Sequence, residues 1–212
     1  MRRAVALLIA GSTLVQAVVI DRIAIVVSNS IVKDSDISRD LRVTEFLNNQ
    51  PLDLSEAARK VSANRLVDQI FIRKEIEIGD YPVVSWQEAS RQVDLLVQKE
   101  FKSEAALENR LSRYGITAPD LISHFLWELT VLRFVDVRFK PAVLVTDADI
   151  QQYYTQHAAE LQREHPGKSS LNDLRGVISD ILTGERVNKL FFAWLDDQRK
   201  QNKIKYYERT LE

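Results

Sequence analysis

The chain has 212 residues, with 29 Lys+Arg against 30 Asp+Glu, three His, no Cys and a formal net charge of -1. A composition 45% hydrophobic and 28% charged, with six Gly and five Pro, fits one folded domain or two small ones and excludes general disorder or collagen-like repeats. The near-neutral balance supplies no basic field for nucleic acid, and the lack of Cys removes disulfides, thiolate zinc sites, Fe–S clusters and Cys nucleophiles together.

Residues 1–17 read as a secretory signal peptide. Arg2 and Arg3 form a positive start, residues 4–10 an uncharged apolar run, and Val15-Gln16-Ala17 a small-residue cleavage pattern. The run is too short to span a bilayer, and no later stretch reaches about 18 uncharged apolar residues. The expectation is an exported protein with no stable membrane insertion.

Two β-like runs follow. Asp21 to Val27 is rich in β-branched residues, Ser28-Asn29-Ser30 is turn chemistry, and Ile31-Val32 resumes, so a hairpin is expected. Helices come next. Asp34 or Ser35 caps one carrying Ile37, Leu41 and Phe46. Asp53-x-x-Glu56 reads as a capping box before Val61, Leu66, Ile70 and Ile76. Ser85-x-x-Glu88 reads as another, before Trp86, Ala89, Val93, Leu96, Val97 and Phe101. Ser103 caps a short helix that Gly115 closes. Thr117-x-Pro-Asp120 opens the most apolar helix, to about Phe139. Thr146-x-x-Asp149 opens one that Pro166-Gly167 ends, and a last helix runs from near Ser170 to about Gln201. Residues 203–207 alternate like an edge strand, able to join the N-terminal hairpin and tie the chain's two ends together.

The 118–139 helix has two stripes. Leu121, Ile122, Phe125, Leu126, Leu129 and Leu132 share one broad face, and Trp127, Val131 and Phe134 lie opposite. The second stripe is either more core or part of a cleft for apolar ligands. In the last helix the apolar face changes sides around Gly184, so the segment bridges two packing units, with a bend at the glycine or without one.

Catalytic signatures are lacking: there is no G-x-x-x-x-G-K, G-x-G-x-x-G, G-x-S-x-G or H-E-x-x-H. His157, Glu160 and Glu164, with His165 beside them, have a spacing that suits a metal but suits a solvated face better. His124 reads as a packed imidazole, and Asp147 and Asp149 as first-turn acids facing a helix dipole. Trp86, Trp127 and Trp194 fall in apolar patterns and are expected in the core.

The opening Asp21-Arg22-Ile-Ala-Ile-Val-Val-Ser-Asn-Ser-Ile-Val-x-x-Ser35-Asp36-Ile resembles that of the SurA-type periplasmic chaperones and their PrsA-like, parvulin-associated relatives. Tyr114-Gly115-Ile116, Asp120-Leu121 and the 129–139 segment resemble their central helix. Val145-Thr146-Asp147-x-Asp149-Ile150-x-x-Tyr153-Tyr154 resembles the segment leading into the parvulin domain. Phe191-Phe192-x-Trp194-Leu195, Arg199 and Lys203-Ile204-Lys205-Tyr206 resemble the closing helix and strand. The likeness covers nearly all of residues 19–208, and the order of the pieces is more specific than any one piece. One departure matters. Only residues 158–173 separate His157 from Leu174, whereas a catalytic domain needs at least about 50 residues.

The resemblance therefore implies the chaperone module without the isomerase. The expected fold is a mostly α, multi-helix bundle with a small β-sheet formed by the N-terminal hairpin and the C-terminal strand. Residues 18–140 would carry hairpin and helices, 141–168 a linker helix, and 169–208 the closing helix and strand. The expected activity is that of an ATP-independent periplasmic holdase, with no catalytic, cofactor or metal residues. Its partners would be unfolded polypeptide clients, outer-membrane proteins foremost, bound at Trp127, Val131 and Phe134. A non-chaperone envelope protein, possible as a strand-exchanged homodimer, is the alternative. A divergent isomerase, a metal-dependent hydrolase and a helix-turn-helix DNA binder rank below both.

Overall fold

The computed structural model describes residues 21–168 and 170–207. The expected signal segment, residues 1–17, lies outside the described residues. Among the described residues the fold is mostly α with a small antiparallel sheet. The helices are α1 (Asp34–Leu47), α2 (Glu56–Ile78), α3 (Trp86–Leu96), α4 (Glu104–Tyr114), α5 (Ala118–Arg138), α6 (Asp147–Glu164) and α7 (Leu171–Gln201). The strands are β1 (Ile23–Val27), β2 (Ser30–Lys33) and β3 (Ile204–Tyr206), in the order β2-β1-β3.

The sheet joins the two ends of the described chain, as the alternating 203–207 pattern predicts. Val26 pairs with Ile31 on one side and with Lys205 on the other. The turn needs a positive φ at its first central residue, and Ser28 supplies it at 51°. The C-terminal segment clamps that turn: the Ser28 amide donates to the Lys203 carbonyl at 3.1 Å, and the Ser28 hydroxyl donates to Asn202 at 3.2 Å. Ala24, Ile25, Val27 and Val32 pack on Ile37 of α1 and on Ala63, Val67 and Phe71 of α2.

Most helix starts lie where the capping chemistry predicts. Ser85/Glu88, Thr117/Asp120 and Thr146/Asp149 form reciprocal capping boxes, and Ser103 caps α4. Gly115 ends α4 in the left-handed region with φ 65°. Two starts differ. Ser55, not Asp53, caps α2, because Asp53 turns its carboxylate to the Ser55 amide at 2.8 Å while its own amide donates to Glu45. At α1, Asp34 and Ser35 are already helical. Asp21 accepts from the Ser35 amide and hydroxyl at 3.2 and 2.6 Å, and Asp36 accepts from the Lys33 amide.

The third helix also stops early. α3 ends at Leu96, and Val97–Phe101 forms a π-helical turn closed by the Lys102 amide on the Val97 carbonyl at 2.8 Å. The wider turn lets Phe101 stack on Phe46 at 6.0 Å, within a core of Val43, Val93, Leu107, Leu111 and Leu121.

The last helix is continuous through Gly184 for 31 residues. Its first half packs on α6 through Leu174, Ile178 and Leu182 against Ile150 and Leu161. Its second half sends Val187, Phe191 and Leu195 into a cluster with Ile72, Ile76, Phe134 and Phe139. The bridge between two packing units is therefore real. α6 is half of a helical hairpin rather than a free linker.

Candidate functional site

The central helix, α5, determines where open surface is left. Its Thr117 cap and Pro119 in the first turn fix where it begins. Leu121, Ile122 and Phe125 face the α1/α3/α4 core, whereas Phe134, with Trp127, Val131 and Val135 packed beside it, faces α2 and α7. The second stripe and the first turns of the first are thus packing faces, whereas Leu126, Leu129 and Leu132 of the first border open depressions.

Two shallow depressions flank Trp127. One, of about 380 Å³, lies between β2, α1, α2 and α5 and has Ile31, Val43, Leu66 and Ile70 in its walls. The other, of about 630 Å³, lies between α2, α5 and the segment before α3, with Ile76, Val84 and Leu126 in its walls. Arg73, Ser123 and Trp127 belong to both, so the two form one trough with a saddle. The Arg73 guanidinium lies over the Trp127 ring, its carbon 4.0 Å from the centroid. Around the corner, the outer face of α3 and α5 holds a third depression, about 610 Å³, walled by Leu95, Leu129, Leu132 and Val137.

Several charged groups of the rim are paired. Arg39 meets Asp120 at 3.2 Å, and Asp40 is held by Arg65 and by the Ser62 hydroxyl at 2.7 Å. His124 Nε2 meets Glu128 at 3.1 Å, and that hydrogen bond holds the Glu128 carboxyl below its ordinary range against the opposing effect of burial.

The three residues expected to bind clients do not share one open surface. Trp127 faces the trough. Val131 is half-buried against the α2/α7 cluster. Phe134 is fully buried, with rings of Tyr81, Phe139 and Trp194 at 5.1, 5.8 and 5.8 Å, and offers no surface to a ligand. Trp86, expected in the core, is 49% exposed, and so are Val61 and Leu132 at 62% and 63%. Trp194 is half-buried among those rings.

The other candidates have structural partners. Asp149 caps α6 and pairs with Arg186 at 2.7 Å, which together hold its carboxyl far below the usual range. Asp147 pairs with Arg175. His157 stacks on Tyr153 at 4.3 Å and faces Glu160 at 3.6 Å. Among the described residues no three or more His, Asp or Glu are grouped to hold a metal ion, and no helix is long and apolar enough to cross a membrane.

No protein-family model matches the chain, and no curated protein matches its sequence. The likeness to the SurA-type chaperones rests on the motifs alone.

One residue of the trough carries no signal in the sequence. Arg73 is one of 29 Lys and Arg residues, in a polar stretch of α2 with Glu77 one turn on. An i,i+4 pair is the natural expectation there, and its absence is visible only in three dimensions.

Proposed function

We propose that this protein is an ATP-independent holdase for unfolded exported polypeptides, outer-membrane β-barrel precursors among them, working in the periplasm without isomerising its clients. The observation that carries the reading is the trough: two open depressions with apolar walls on either side of Trp127, on a helical frame. The order of SurA-like motifs along the chain and the signal-like residues 1–17 support the same reading.

The energetics suit a carrier. Filling the trough with about 400 Å² of apolar client surface gains about 10 kcal/mol at about 25 cal/mol per Å². Ordering about six client residues costs about 6–12 kcal/mol. The two nearly cancel, so binding is weak and release needs no nucleotide.

The test is suppression of aggregation. Purified mature protein, without ATP, should slow light scattering from a urea-unfolded β-barrel protein diluted into buffer. Aggregation as fast as in buffer alone overturns the proposal.

A further inference from the structure

We propose that the outer face of α3 and α5 is where a second copy of this chain docks, in a two-fold, face-to-face pair. The inference is independent of the holdase reading of the trough.

The argument begins with apolar surface left open by the fold. Leu129, Leu132 and Asp136 on α5 recur at the spacing of a helix seam and line one depression with Leu95 and Val137. Leu95, Leu132 and Val137 are all exposed, so the apolar groups form a patch rather than scattered single residues.

Charge selects the occupant. The charged residues lining the depression are two of each sign: Arg91 and Glu88 on α3, Arg133 and Asp136 on α5. The two helices run antiparallel, since the Val84 amide just before α3 donates to Thr130 while Val93 shares a cluster with Leu121. Glu88 and Arg133 meet across the groove at 3.0 Å. Arg91 lies about one turn beyond Glu88, and Asp136 about one turn beyond Arg133 in the opposite direction. From Arg91 to Asp136 the row therefore reads plus, minus, plus, minus. Turned about a two-fold axis it reads minus, plus, minus, plus. Each charge then faces its opposite on the second copy, Arg91 against Asp136 and Asp136 against Arg91. The ends of the row have charge to spare. Arg91 pairs with no carboxylate among the described residues, and Asp136 meets Lys140 at 3.9 Å on the exposed surface, a weak contact. A partner of uniform charge meets repulsion at half of the row.

Size sets the strength. α3 has 11 residues and is about 16 Å long, and two packed helices are about 20 Å wide. Such a face buries less than the about 800 Å² per partner of a standard interface, so the pair is weak and forms at about 10–100 μM protein. Trp127 lies on the opposite side of α5 from Asp136, at about 100° per residue, so pairing leaves both troughs open.

The test is sedimentation velocity of the mature protein from about 1 to about 300 μM at low salt. The mass should rise from monomer towards dimer, and the rise should shrink at about 0.5 M salt. Arg91→Glu and Asp136→Arg change exposed positions, and circular dichroism checks their folds. Each places like charges together at both ends of the row and should raise the dissociation constant about tenfold. Mixed in equal amounts, the two variants should associate about as tightly as the wild type, because each supplies the charge that the other lacks.

A monomer at every concentration overturns the proposal. A dimer indifferent to both variants, or variants that fail to rescue one another, overturns it too. An unfolded β-barrel protein that binds the monomer, and binds Arg91→Glu less tightly, gives the face to clients and also overturns it.

Discussion

Phe134→Ala distinguishes a packing residue from a client-binding one. Phe134 is 0% exposed and makes edge-on contacts with Tyr81 at 5.1 Å and Phe139 at 5.8 Å. Losing a buried Phe forfeits about 2–3 kcal/mol of transfer free energy. The cavity it leaves brings the expected cost to about 3–5 kcal/mol. For a chain of this size that lowers Tm by about 6–20 °C. Leu132 stands two residues earlier on the same helix but is 63% exposed, so Leu132→Ala should cost no more than about 0.5 kcal/mol. Thermal melts and urea titrations by circular dichroism measure both, with unchanged urea m-values showing that stability alone has moved. The reasoning is refuted if Phe134→Ala melts within about 3 °C of the wild type, or if the two variants lose equal stability.

Arg199 donates to Asp68 at 2.7 Å and to the Asn64 carbonyl at 2.8 Å, just before β3; Arg199→Ala should cost about 1 kcal/mol and speed exchange of the Ser28 and Tyr207 amides more than that of α6. Glu88 accepts from Ser85 and from Arg133, which lowers its carboxyl to about 2. A depressed folded-state value stabilises above the unfolded value near 4.5 and is lost as pH falls towards 2, so Glu88→Gln should flatten the fall of Tm across that window; a parallel fall in both proteins counts against the capping role. A methyl group on Gly115, at φ 65°, meets the Arg42 guanidinium at 2.6 Å, whereas one on Gly184 meets nothing within 4 Å. Gly115→Ala should therefore destabilise by about 1–2 kcal/mol and Gly184→Ala stabilise by about 0.5–1 kcal/mol, read from the same melts.

What the sequence made legible was what is decided locally. A capping box needs only a side chain and an amide three residues apart, so Ser85/Glu88, Thr117/Asp120 and Thr146/Asp149 could be read directly. The left-handed end at Gly115 is equally local. Long-range partners were not legible. The acceptor before α1 is Asp21, from the other side of the hairpin, and no three-residue pattern announces it. Periodicity sorted α5 into two faces, yet it could not say that Phe134 is sealed by α7 while Leu132 meets solvent, because that depends on which helix arrives from elsewhere. Arg73 was hidden for the same reason: lacking a partner is a property of the assembled trough.

Helices α6 and α7 form a hairpin with an apolar core of its own. Two helices that close directly on one another must bury their own apolar faces. Ile150 and Leu161 on α6 and Leu174, Ile178 and Leu182 on α7 do so, with Tyr153, Tyr154 and Leu171 around them. That hairpin has a core separate from the cluster under the trough, so strain at its tip has little to act on there. Arg186 anchors its base, donating to the Leu144 carbonyl and pairing with Asp149 one turn above. The tip at Gly167, φ 90° with open space around it, is the place where chain length can change at least cost. A fold arranged this way can lose or gain a domain at one end while Trp127 and Arg73 keep their positions at the other.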